Sequence, residues 1–259
     1  MAMAKVEDYI NSSIGKNGGL LFSVIDPVDY KSPTDAVKAG TVCGEGGADI
    51  VLIGGSIGAQ GELLDYVAKG IKEKVSVPVV LFPGNIATIT KYADALYFMS
   101  LLNSRNPYWI SGAQALAAPL IRRMGIEPLP VGYIVVEPGG TVGFVGDVNL
   151  VPRNKPQIAA ALALSAQLSG KRFVITDAGS NPSTGHIPLE MVSAIAKAVD
   201  IPYIVAGGVK TPEQAKSIIK AGADAIQVGT AFESAGEAEL KKKVAAMVKA
   251  CREGAKERK

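Results

Sequence analysis

Transition-metal ligands are almost missing from this chain of 259 residues, which has one histidine, His186, and two cysteines, Cys43 and Cys251. The cysteines lie far apart and outside any C-x-x-C spacing, so neither a zinc framework nor a redox motif is expected. They read as isolated thiols of a reducing compartment, which points to the cytoplasm. No run of about 18 to 20 residues is free of charges and helix breakers, so no membrane-crossing segment is expected, nor is there a basic-then-apolar leader. An excess of one charge is lacking too. The 27 basic and 24 acidic residues nearly cancel to +3, leaving no basic stripe for nucleic acid. The small excess gathers between Lys241 and Lys259, a stretch suited to solvation or to transient contact with anionic lipid headgroups.

Apolar residues and chain breakers are plentiful. Hydrophobic residues make up 48% of the chain, which also carries 29 glycines and 15 prolines. That composition suits one well-filled domain with many tight connections. Eight short, continuous apolar runs alternate with helical patterns: 20–25, 50–53, 77–82, 95–99, 130–136, 172–176, 202–205 and 225–228. Strands without a polar face must be covered on both sides. Eight such units in about 250 residues predict an α/β protein folded as a closed (β/α)8 TIM barrel. An open doubly wound sheet fits less well, because no G-x-G-x-x-G follows the first strand. One unit is irregular. Pro83 to Asp94 is short, and Ile86-Ala87-Thr88-Ile89-Thr90 is too β-branched for a helix, so the third outer helix is expected to be missing or replaced. Residues 1–15 read as a leading helix and residues 250–259 as a polar tail of the single domain.

Polar or glycine-rich turns end nearly every strand. Gly207-Gly208 follows strand seven and Gly229-Thr230 follows strand eight, a placement that lets backbone amides grip a substrate phosphate. The turn Asp177-Ala178-Gly179-Ser180-Asn181 after strand six adjoins them, and Lys210 is an available point charge. Asp26, fixed before Pro27 at the tip of strand one, and Ser56 at the tip of strand two are candidate Mg2+ contacts. Asp177 is the best candidate to orient or deprotonate a substrate hydroxyl, with Glu137 as a competitor. His186, beyond the active-site turn, reads as a surface or packing residue rather than a catalytic one. The apolar loop Phe98 to Ser104, continued by Tyr108-Trp109-Ile110, suits a greasy substrate tail at about 0.8 kcal/mol per buried methylene, or packing on the barrel or another subunit.

The pieces Ser23-Val24-Ile25-Asp26-Pro27, Gly54-Gly55-Ser56, Pro83-Gly84-Asn85, Phe98-Met99-Ser100-Leu101-Leu102-Asn103-Ser104, Gly132-Tyr133, Val136 to Gly143, Ala178-Gly179-Ser180, Gly207-Gly208 and Gly229-Thr230 occur in order along the chain. In this set the sequence resembles the geranylgeranylglyceryl phosphate synthase family, which includes heptaprenylglyceryl phosphate synthases. The resemblance implies a Mg2+-dependent prenyltransferase of ether-lipid biosynthesis, joining a prenyl diphosphate such as geranylgeranyl diphosphate to the 3-hydroxyl of sn-glycerol 1-phosphate. It also implies a barrel lacking the third outer helix, and a dimer or hexamer. By motif position, Asp26 and Ser56 would hold Mg2+ and diphosphate. Ile175, Thr176, Asp177, Ala178, Gly179, Ser180 and Asn181, with the paired glycine loops, would form the acceptor site.

The sequence departs from the family at strand six. The usual Tyr-Leu-Glu-Ala-Gly-Ser-Gly becomes Ile175 to Asn181, losing a tyrosine hydroxyl at Ile175 and shortening the carboxylate at Asp177 by one methylene. Leu21 stands where a histidine is common, and Asp29 where a lysine is, with Lys31 as the available substitute. These changes keep other readings open: a related transferase with a different phosphorylated acceptor, a sugar-phosphate isomerase or lyase, or a scaffold that binds without turnover.

Overall fold

The computed structural model describes residues 5–55, 57–233 and 235–258. Eight parallel strands close into a barrel in chain order. They are β1 (Leu20–Ile25), β2 (Ile50–Ile53), β3 (Val79–Leu81), β4 (Ala95–Leu101), β5 (Glu127–Val135), β6 (Phe173–Asp177), β7 (Tyr203–Ala206) and β8 (Ala225–Val228). The ring closes where Leu20 to Ser23 of β1 pair with Ala225 to Val228 of β8.

Two hydrophobic cores explain the strand composition. Alternate strand residues such as Phe22, Val131 and Ile204 fill the barrel interior. Their neighbours, among them Val51, Val174 and Val205, face the outer helices. A strand covered on both faces has no solvent side for polar residues, and period-two alternation disappears.

The helices are α1 (Lys5–Asn17), α2 (Pro33–Glu45), α3 (Gly61–Lys72), α4 (Ala113–Met124), α5 (Gly140–Val145), α6 (Pro156–Leu168), α7 (Leu189–Ala198), α8 (Pro212–Lys220), α9 (Thr230–Glu233) and α10 (Glu237–Lys256). Two begin at clear capping signals. Ser32 accepts from the Asp35 amide before α2, and Thr211 and Gln214 form a capping box before α8. Helix α1 belongs to the interior core through Val6 and Ile10, and Glu127 at the start of β5 accepts from the Val6 and Glu7 amides at 2.8 and 3.0 Å. The helix thereby covers the N-terminal end of the barrel and leaves the C-terminal end open.

Between β3 and β4 no helix forms, as the β-branched sequence predicts. Residues 85–88 make a turn instead, in which the Thr88 hydroxyl donates to the Asn85 carbonyl at 2.7 Å. The opposite end of the chain corrects the sequence reading. Of the expected polar tail 250–259, residues 250–256 instead continue α10, with Ala250, Cys251 and Gly254 buried, while Lys259 lies outside the described residues. Arg252 holds Asp49 at 2.6 Å and Arg258 holds Asp224 at 3.0 Å, so the basic residues at this end serve the barrel wall. Among the described residues, no helix is long and apolar enough to cross a membrane.

Candidate active site

The C-terminal ends of the strands surround a cavity of about 670 Å³. Its polar side is built from strand-tip residues singled out in the sequence: Asp26, Asp177, Gly179, Ser180, Asn181, Gly207, Gly208, Gly229 and Thr230 all line it. Three other acceptor-site expectations fall outside the lining. Ile175 is part of the interior core below the cavity. Thr176 faces outward and shares a 2.7 Å hydrogen bond with the Tyr203 hydroxyl. Ala178 is buried among the outer-core residues. The period of a strand accounts for Thr176 and Ala178, since successive side chains point to opposite faces; Ile175 shares the inward face of Asp177 but lies one layer deeper. Ser56 lies outside the described residues.

Asp177, at the end of β6, is 8% exposed. The Tyr133 hydroxyl donates to its Oδ2 at 2.5 Å, and the Gly179 amide donates to its Oδ1 at 2.6 Å. Burial pushes the Asp177 carboxyl above the usual carboxylate range, and these two donors act in the opposite direction. In the β5–β6 register Tyr133 pairs with Ile175. The Tyr133 hydroxyl thus reaches the carboxylate from the adjoining strand, beside the position of Ile175. Tyr133 lies in one of the motif pieces, but nothing in the sequence sets it against Asp177; the β5–β6 register does.

The glycines are sterically required. Gly207 has φ +81°, and a Cβ there would stand 2.6 Å from Asp177 Oδ1 and 2.7 Å from the Gly179 carbonyl. Gly208, with φ +75°, lies against the backbone of Gly185 and His186 in the same way. Only glycine allows these turns to meet without displacing the carboxylate or the neighbouring chain. Arg153 ties down the outer part of the β6–α7 loop by donating to the carbonyls of Thr184 and His186 at 3.2 and 2.7 Å. His186 is outside the cavity lining, its Nδ1 2.7 Å from the Ile187 carbonyl, and exposed Glu137, which accepts from the Arg153 amide at 3.3 Å, is outside it too.

Across the barrel, Asp26 meets two carboxylates that the sequence did not single out as ligands. One oxygen each of Asp26, Asp29 and Glu233 lies within 4.8 Å of the others. Burial first, and then the negative charges of Asp29, Glu233 and Asp177, raise the Asp26 carboxyl to about 7. Its Oδ1 is buried without a hydrogen-bond partner among the described residues, and Gly54 leaves the space it occupies. Asp29 puts negative charge where the family resemblance places a lysine. Lys31 is exposed and outside the lining, while Lys210 stands exposed at the rim and Lys243 reaches it from α10. Helical spacing on α9 was too short a signal to place Glu233.

The rest of the cavity is apolar. Phe82, Ile86, Ile89, Leu96, Phe98, Met99, Trp109, Ala117 and Ile121 carry it outward past β4 to the region where the third outer helix is absent. The expected apolar mouth is present, although Ile110 stays on the surface. Such a channel beside clustered carboxylates and glycine turns suits a substrate with a charged head and a long hydrocarbon tail.

Residues 21–249 match the PcrB family. The chain is 51% identical over 243 residues to the geranylgeranylglyceryl phosphate synthase of Thermococcus sibiricus, covering 94% of each sequence. It is also similar to the crystal structure of (S)-3-O-geranylgeranylglyceryl phosphate synthase from Thermoplasma acidophilum in complex with sn-glycerol-1-phosphate. That similarity has a TM-score of 0.89 and 35% identity, and covers 98% of this chain and 99% of the other. The wild-type GGGPS from Thermoplasma volcanium gives a TM-score of 0.90 at 32% identity, over 95% and 97% of the two chains.

Proposed function

This chain belongs to the PcrB family, and from that premise we propose that it is a prenyltransferase joining geranylgeranyl diphosphate to the 3-hydroxyl of sn-glycerol 1-phosphate, with release of diphosphate. The observation that carries the reading is one cavity in which Asp177 faces the glycine turns at one end and an apolar channel leads away at the other. A sugar-phosphate isomerase or lyase has no use for that channel.

The reaction breaks the bond between prenyl C1 and the diphosphate oxygen and forms an ether bond from C1 to the glycerol oxygen. In the proposed geometry, the turns at Gly179, Gly207-Gly208 and Gly229-Thr230 hold the acceptor phosphate with backbone amides. The acceptor hydroxyl then faces Asp177, which takes up its proton as the ether bond forms. Burial makes Asp177 a stronger base than a solvated aspartate, and Tyr133 and Gly179 keep it aimed. Water excluded by the apolar channel cannot intercept the developing allylic cation.

Asp26, with the nearby Asp29 and Glu233, suits an oxygen-liking divalent cation. The unpartnered Oδ1 and the raised Asp26 carboxyl are both relieved by positive charge at that position. We therefore assign Mg2+ to this cluster, where it would neutralise charge on the departing diphosphate. Self-association as a dimer or hexamer belongs to the same reading; Phe144, 89% exposed, and Leu168, 78% exposed, supply apolar surface for it. Buried free Cys43 and Cys251 suit a cytoplasmic enzyme.

The test is ether formation from geranylgeranyl diphosphate and Mg2+ with sn-glycerol 1-phosphate or sn-glycerol 3-phosphate. Product from the 1-phosphate is expected. Folded protein that binds the prenyl diphosphate but makes no ether from either acceptor would overturn the assignment.

A further inference from the structure

Below the glycine turns, one buried side chain carries a hydrogen-bond donor that the fold leaves unused. Gln227 interrupts the otherwise apolar β8, is 4% exposed and lines the cavity. Its Oε1 accepts from the Tyr97 hydroxyl at 2.9 Å, which fixes the amide plane. Its Nε2 has no hydrogen-bond partner among the described residues. Buried polar groups in native proteins nearly always have partners, so an oriented amide with free N–H groups at a cavity wall is matched to an acceptor atom of the ligand.

Strand register shows which part of the ligand that is. Asp177 pairs with Ala206, and Ala206 with Gln227. Partners in a parallel register share a face, so the three form one row inside the barrel, with only a methyl group between the carboxylate and the amide. Two strand spacings separate the Asp177 and Gln227 backbones by about 9–10 Å, room for a three-carbon skeleton between the two side chains. Gly207 follows Ala206 directly, and Gly229 lies two residues beyond Gln227, so the phosphate turns stand just above the row.

We propose that Gln227 is a specificity residue for the acceptor, its Nε2 donating to the C2 hydroxyl oxygen of sn-glycerol 1-phosphate. This rests on the prenyltransferase reading. The acceptor is then held at three places: phosphate at the turns, C3 hydroxyl at Asp177 and C2 hydroxyl at Gln227. Three contacts around C2 distinguish mirror images. With phosphate and attacking hydroxyl in place, the C2 hydroxyl of the enantiomeric 3-phosphate points away from the amide.

The experiment measures binding by titration calorimetry to the wild type, Gln227→Leu and Gln227→Met. The ligands are sn-glycerol 1-phosphate, sn-glycerol 3-phosphate and 1,3-propanediol monophosphate, which lacks the C2 hydroxyl. Wild type should prefer the 1-phosphate over the propanediol ester by about tenfold, as loss of one donor–acceptor pair implies. Gln227→Leu should bind the two within about twofold, lose enantiomer preference by a similar factor and keep its affinity for geranylgeranyl diphosphate. Gln227→Met, close to glutamine in length and, like the leucine variant, without a side-chain N–H, should show the same loss of discrimination, which keeps the test open if the leucine variant misfolds. Undiminished discrimination in a folded variant would overturn the assignment of Gln227 while leaving the synthase reading intact. Failure of wild type to bind the 1-phosphate at all would overturn both.

Discussion

Replacing Tyr133 by phenylalanine removes one oxygen and leaves the ring that meets Phe82 edge-on at 5.8 Å. The lost group is the donor 2.5 Å from Asp177 Oδ2, leaving the Gly179 amide as the remaining donor shown for that carboxylate. A hydrogen bond to a charged group contributes about 1.5–3 kcal/mol. At about 1.4 kcal/mol per unit, the Asp177 carboxyl should rise by roughly one to two further units. The sign follows from the form being stabilised. Tyr133 favours the carboxylate, so without it the neutral acid persists to higher pH and the proposed base is depleted. The expected result is an acid limb of kcat/KM displaced to higher pH by about one to two units, with much of the rate recovered in alkaline buffer. The assay is ether formation over a pH series at saturating geranylgeranyl diphosphate, accompanied by thermal melting. A uniform fall in rate with the acid limb unmoved would refute the reasoning and reduce Tyr133 to a packing residue.

Asp26→Asn addresses the other end of the cavity. With its carboxyl raised from 3.8 to about 7, Asp26 contributes stability that is fully present below about pH 4 and is lost as pH rises through 7. The loss reaches about 4 kcal/mol at alkaline pH, so the variant should melt at least about 5 °C higher than wild type at pH 8, with a smaller gain at pH 5. Mg2+ should raise the melting temperature of wild type at pH 8 and have little effect on the variant; equal shifts in both proteins would remove Asp26 as a metal ligand. Arg252→Ala probes the barrel wall. It strips the partner from Asp49, which is 6% exposed and also accepts from the Leu21 amide at 2.8 Å. Leaving that carboxylate unpaired should cost about 3–5 kcal/mol and appear as a lower melting temperature with unchanged kcat; an unaltered melt would contradict the pairing.

The strands and their glycine-rich ends were readable because burial on both faces requires continuous apolar runs, and tight strand-to-helix turns require residues free of a Cβ. The absent third helix was readable for a related reason, since β-branched residues between Asn85 and Tyr92 disfavour a helix there. Residues 250–258 were misread because charge density alone suggests solvation. Arg252 and Arg258 are spent on Asp49 and Asp224, partners more than 30 residues away in sequence.

The site shows the same division at finer scale. Asp26, Asp177 and the three glycine turns could be named from their places at strand tips, because in a closed parallel barrel those tips converge on one mouth. Ile175, Thr176 and Ala178 came with them as neighbours in a motif; the strand period turned Thr176 and Ala178 outward, while Ile175 faces inward a layer below the cavity. Tyr133, Glu233 and Gln227 gained their meaning only from register and barrel closure, which set a hydroxyl against Asp177, a third carboxylate beside Asp26, and a free amide one strand beyond Ala206. The sequence by itself determined the local preferences, namely which segments are strands and where the backbone must turn. The pairing of distant polar atoms was decided by tertiary structure, because contact distances depend on how eight strands are staggered around the ring.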